Sequence, residues 1–166
     1  MRGSRLIATF GGVGLLRPAP GTWGSAAALP LGYLLHGIGG FPLLLLATVA
    51  VFAIGWWATL LEERATGAHD ASEIVIDEVV GLWIALMPVS AGLNHAGVDP
   101  WLFPWPGWVG AFVMFRLFDI WKPGPVGWAD RKPGALGVML DDVIAGVFAA
   151  CAVALMAGIA HGLLGV

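Results

Sequence analysis

The chain has 166 residues, 58% hydrophobic and only 11% charged, with a formal net charge of −3. Soluble domains carry about 25% charged residues. The deficit, a mean hydropathy of +0.85 and apolar runs of about 20 residues exclude an ordinary soluble domain and indicate an integral membrane protein. Eight basic residues with no basic stripe argue against a nucleic-acid partner. The length fits one membrane-embedded domain over residues 1–166.

In chain order, Met1 to Phe10 carries Arg2 and Arg5 but too short an apolar core for a signal peptide. Next comes Arg17-Pro-Ala-Pro-Gly21-Thr22-Trp23-Gly24-Ser25, a fixed turn in which Thr22 or Ser25 is placed to cap the following helix. The free N–H groups of such a helix start also suit an anion, and Arg17 is nearby. The first apolar segment, Gly24 to Ile38, is short and carries Pro30, so it reads as either spanning or re-entrant. Phe41 to Leu61 is a clear span. The third segment runs from Ile74 to about Leu93, the fourth from Trp105–Trp108 to Trp121, and the fifth from Gly137 to Leu164. The predicted architecture is all-α, a compact bundle of four to five transmembrane helices.

Lys and Arg set the orientation. Arg2, Arg5 and Arg17 precede the first segment, Arg64 lies between the second and third, and Lys122, Arg131 and Lys132 lie between the fourth and fifth. Gly39-Gly40 and Asn94 to Pro104 hold no Lys or Arg. Every basic loop therefore falls on one face, expected to be cytoplasmic. Trp101, Trp105, Trp108, Trp121 and Trp128 cluster near segment ends and read as interfacial anchors, with ligand stacking the lesser alternative for Trp23 or Trp121. Gly158 and Gly162 form a small-xxx-small spacing suited to close helix packing. A homo-oligomer stays open as a partner state. Cys151 is alone among small apolar residues and reads as a packing residue.

Two stretches read almost alike: Ile74-Val-Ile-Asp77-Glu78-Val-Val-Gly81 and Val138-Met-Leu-Asp141-Asp142-Val-Ile-Ala-Gly146. Each sets adjacent carboxylates in an apolar run, which is costly without a cation to hold them. Asp70, Glu73 and Asp77 share a helix face if the third helix extends that far back, with Glu78 turned toward a neighbour. Arg116, Asp119 and Lys122, spaced by threes, can clamp an anion and bind a cation; an intrahelical Arg–Asp pair with a snorkelling Lys is the structural alternative. Capping of the fifth helix accounts for one of Asp141 and Asp142, hardly for both. Hard oxygen ligands without a Cys cluster suggest Mg²⁺, and carboxylates with basic residues suggest phosphate chemistry. Among the histidines only His69, beside Asp70, lies near the acids.

These motifs, with Phe115-Arg-Leu-Phe-Asp-Ile-Trp-Lys-Pro123, together resemble phosphatidylglycerophosphatase A of bacteria. They occur in that family's order and cover most of the chain; Asn94 to Gly107 matches no family pattern. The resemblance implies a magnesium-dependent phosphatase of the bacterial inner membrane. It would convert phosphatidylglycerophosphate, a phospholipid of the cytoplasmic leaflet, to phosphatidylglycerol and inorganic phosphate. Some of Asp77, Glu78, Asp119, Asp141 and Asp142 would hold one or two Mg²⁺ and carry the catalysis. Arg116 and Lys122, with Arg17 and Thr22, would hold the phosphate. The attacking group is first a water deprotonated by a carboxylate, second a carboxylate itself. The rival classes are a small cation-coupled transporter, a non-catalytic assembly protein whose acids form salt bridges, and a lipid phosphotransferase, whose longer acidic motif is missing here.

Overall fold

The computed structural model describes residues 2–69 and 71–164, and among these there are helices and no strand. The elements are α1 (Gly3–Ala8), a 3₁₀ turn (Val13–Leu15), α2 (Pro20–Thr66), α3 (Ile76–Ala96), α4 (Trp105–Trp121), α5 (Pro125–Asp130) and α6 (Ala135–Leu164). By length and composition α2, α3 and α6 are able to cross a membrane. The 17 residues of α4 reach about 25 Å.

The two N-terminal segments expected from the sequence are the arms of α2, folded back on each other at Gly39 and Gly40. Gly40 has φ 62° and ψ −158°, a region essentially restricted to glycine, and Pro42 restarts the helix two residues later. The first arm runs beside α3 for its full height. Gly24 lies against Val75, Gly32 against Trp83 and Leu86, and Gly37 against Trp101 beyond the far end of α3. The Trp83 indole N–H donates to the Ala28 carbonyl at 2.9 Å. The returning arm brings Gly55 to Ile76 and Met139, and Glu62 accepts from Ser4 at 2.6 Å. The first segment is therefore an arm as tall as α3. Two glycines and a proline at the bend make this tight reversal cheap.

α3 is the central helix. Val79, Val80, Leu82, Ala85 and Leu86 are buried against Trp108, Ala111 and Phe115 of α4 and Ala145, Ala149 and Val153 of α6. Leu46, Val49, Val113, Leu155 and Ile159 point outward, as expected of surface that faces lipid. Trp101, Trp105, Trp121 and Trp128 are exposed near element ends. Trp108 departs from the anchor reading: it is fully buried, packed edge-on against Tyr33 and His36 and stacked on Phe103. His36 beside it bonds Ser90 at 2.7 Å. Gly158 and Gly162 meet no neighbour among the described residues, so their spacing serves no packing within the chain.

The backbones of α3 and α6 approach closely. A Cβ on Gly146 would lie 3.1 Å from the Gly81 Cα, and one on Gly81 would strike the Phe115 ring and lie 2.7 Å from the Asp142 carbonyl oxygen. Two parallel helices touch through their main chains here, one turn beyond their acid pairs. Gly146→Ala must push α3 and α6 apart and is expected to cost roughly 1–3 kcal/mol, seen as a lower melting temperature in detergent. Gly158→Ala, in open space, should leave stability unchanged or raise it by up to about 1 kcal/mol. Equal melting temperatures for the two variants would rule out the crossing as a packing constraint.

Candidate active site

Asp77 and Glu78 are the second and third residues of α3. The helix does not extend back to Glu73, so the face proposed for Asp70, Glu73 and Asp77 does not form; Asp70 itself lies outside the described residues. Glu73 sits in the preceding turn and pairs with Arg5 at 2.7 Å. α6 starts at Ala135, so Asp141 and Asp142 stand nearly two turns inside it and cap nothing. Nor do Thr22 and Ser25 cap α2. Its N-cap is Ala19, Pro20 opens the first turn, and the Ser25 hydroxyl donates back to the Gly21 carbonyl at 2.9 Å.

Asp77, Asp141 and Asp142 are buried, and Glu78 and Asp119 partly so. Asp77, Glu78 and Asp142 each bring one carboxylate oxygen within 4.8 Å of the others, and so do Asp119, Asp141 and Asp142. Asp142 belongs to both groups. The acids line a cavity of about 300 Å³ with Arg116, Lys122, Ser72, Ile74 and the start of α2, Ala19 to Gly21. Gly21 is needed there because a side chain would strike the Glu78 carboxylate and come within 3.3 Å of Arg116 Nη1.

The cations are held by acids of their own. Arg116 donates through Nη1 to Asp119, one turn on, which realises the intrahelical pair. Its Nε, and Oε2 of Glu78, are buried without a partner among the described residues. Lys122 does not snorkel. It terminates α4 in the left-handed conformation, φ 49° and ψ 54°, which turns its ammonium toward Asp141 at 2.9 Å and onto Asp130 of α5. Burial opposes the charged form of Lys122, but hydrogen bonds to Asp130 and Asp141 outweigh it and hold its pKa above the usual lysine value. Lys122 therefore stays an ammonium at neutral pH.

Arg17 stands outside the cavity wall, 3.3 Å from the Ser72 hydroxyl. Thr22 lies in the first turn of α2, beside Gly21 but not in the wall. His69 bonds Glu63 at 2.7 Å and is exposed, away from the acids. The sequence reading missed Asp130 and Ser72. Asp130 lies beside Arg131 and Lys132, and no spacing in the chain links it to Lys122.

Grouped carboxylates beside fixed cations serve phosphoryl chemistry, and the relatives agree on the class: the protein is a membrane-embedded phosphoric monoester hydrolase. Residues 6–157 match the family described as phosphatidylglycerophosphatase A, and the chain belongs to that family. It is 37% identical over 145 residues to the phosphatidylglycerophosphatase A of Haemophilus influenzae, covering 87% of this chain and 82% of the relative. It is 38% identical over 147 residues to that of Escherichia coli K12, covering 87% and 78%. A Bacteroides thetaiotaomicron protein named "Putative phosphatidylinositol-3-phosphatase" is 38% identical over 149 residues, covering 86% of each chain. No solved structure matches.

Gly21→Ala would press a methyl group on Glu78 and Arg116. It should lower phosphatase turnover by roughly tenfold or more while leaving the melting temperature close to that of the parent. Unimpaired turnover would show that the α2 start does not set the cavity's shape.

Proposed function

We propose that the protein hydrolyses the terminal phosphomonoester of phosphatidylglycerophosphate, releasing phosphatidylglycerol and inorganic phosphate, with Mg²⁺ as cofactor. The observation that carries this is the pair of carboxylate groups joined at Asp142, set beside Arg116 and Lys122 in one cavity. The names of the Haemophilus and Escherichia relatives support the substrate.

The residues fit a hard divalent cation. Five carboxylates face two cations around the cavity, an excess of negative charge that burial makes costly. Glu78 also keeps a buried oxygen without a partner among the described residues. Oxygen-only donors suit Mg²⁺, held by Asp77, Glu78 and Asp142, by Asp119, Asp141 and Asp142, or by both sets. Bound there, the metal supplies charge neutralisation and polarises the phosphoryl group.

The chain's own groups do the rest. Arg116, in the cavity wall, offers its guanidinium charge to the phosphoryl oxygens while Asp119 fixes its plane. Lys122 offers the second positive charge, aimed by Asp130. A carboxylate not engaged as a ligand takes the proton of the attacking water. The cavity has room for a glycerol phosphate but not for two acyl chains, which stay in the bilayer. The basic residues Arg2, Arg5, Arg17, Arg64, Arg131 and Lys132 gather at the cavity's end of the bundle, while the far loop, 97–104, has none. That asymmetry supports a cytoplasmic site in the bacterial inner membrane. Acids at the bundle end, rather than at mid-depth on broken helices, favour the enzyme over an ion-coupled transporter.

Purified protein should release phosphate from phosphatidylglycerophosphate with Mg²⁺ and stop when the metal is chelated. Asp77→Asn, Asp119→Asn and Asp142→Asn should each lower the rate by at least about a hundredfold with the fold retained. Asp142→Asn should cost most, because it belongs to both carboxylate groups. Release that persists under chelation would refute the metal role, and no release from a folded preparation would refute the substrate.

A further inference from the structure

Two cations line the cavity and a third, Arg17, stands just outside its wall. Arg116 is committed to Asp119, and Lys122 to Asp130 and Asp141. Arg17 is different. Its side chain is 58% exposed, it meets the Ser72 hydroxyl at 3.3 Å, and it comes no closer than 3.7 Å to Glu73. Glu73 is already satisfied by Arg5 at 2.7 Å, so the Arg17 guanidinium is loosely held. Ser72 is itself part of the cavity wall, which puts Arg17 at the mouth. Leu15, Leu16 and Trp23, all exposed, flank it in the chain. At a bilayer surface those apolar side chains sink toward lipid and hold Arg17 at headgroup depth.

We propose that Arg17, braced by Ser72, binds the internal phosphodiester of the lipid while Arg116 and Lys122 hold the terminal phosphomonoester. This rests on the substrate reading above and sharpens it. The two phosphates of that lipid lie at the ends of one glycerol. The diester is joined to the acylated glycerol, so it must stay on the lipid side of the mouth when the monoester reaches the acids. An arginine held this loosely suits that place, since its planar fork fits phosphate oxygens. Arg17 is thus a specificity contact: it selects headgroups bearing a second phosphate one glycerol away over a lone phosphomonoester.

The test uses the full chain in detergent, hydrolysing phosphatidylglycerophosphate, with the phosphatidylglycerol formed as the readout and two soluble phosphomonoesters as competing inhibitors. One is glycerol phosphate. The other is the deacylated headgroup, in which the same glycerol phosphate also carries the diester. The diester-bearing inhibitor should bind the parent protein about tenfold more tightly or better. Arg17→Gln should erase that advantage, and Arg17→Lys should keep part of it. Equal inhibition of the parent protein would overturn the proposal without recourse to any variant. So would an advantage that survives Arg17→Gln, or a loss in that variant that weakens both inhibitors equally. Failure of the parent protein to release phosphate from the lipid at all is a different result: it removes the substrate reading, and this inference with it.

Discussion

The site depends on one contact, the crossing of α3 and α6 at Gly81 and Gly146. The two helices enter the bundle from the same end and touch through their backbones one turn past their acid pairs. That approach sets Asp142 within reach of Asp77 and Glu78 on one side and of Asp119 and Asp141 on the other. A wider spacing would leave two separate acidic helix faces, each solvated by itself. Like charges so close repel, so the apolar packing below them, Val79, Leu82, Phe115 and Ala145, has to hold them together. The core of this protein thus works against its site, and binding of a cation would relieve that conflict.

The depth of the acids matters as much as their spacing. At the bilayer centre each would cost about 2.5–3.5 kcal/mol on the insertion scale. Asp77 and Glu78 open α3 and Asp119 nearly ends α4, so these three lie at one end of the bundle rather than at its mid-height. Asp141 and Asp142 lie deeper along α6, yet Lys122 reaches Asp141 from the end of α4. The short α5 serves this arrangement. It buries Val126 and Ala129 against the bundle and presents Asp130 to the Lys122 ammonium. A side chain ordinarily free to snorkel becomes a fixed charge.

The hairpin of α2 closes the cavity from the other side. Because its arms reverse at Gly39 and Gly40, the first arm descends beside α3 and delivers its N-terminal turn to the acids. Gly21 lets that turn meet Glu78 without a side chain between them. Arg17, just before the turn, is left at the rim, where it can act on a ligand that enters from the lipid side.

By itself the sequence determined the membrane setting, the all-helical class and the family, and it singled out the five acids and two of the basic residues that the structure gathers around one cavity. These follow from composition, from apolar run length and from motifs, all of which are local along the chain. The structure alone decided where helices begin. Glu73 drops out of α3 and Asp141-Asp142 move inward from a cap because end positions depend on packing and turn geometry, to which residue spacing is blind. It also decided which charges meet. Asp130 with Lys122, Arg5 with Glu73, and Arg17 outside rather than inside the wall are contacts between elements, set by how the helices cross. The two acid pairs are legible as a repeated motif; that they form one site sharing Asp142 is a property of the Gly81–Gly146 crossing, because only main-chain contact brings the two helices close enough.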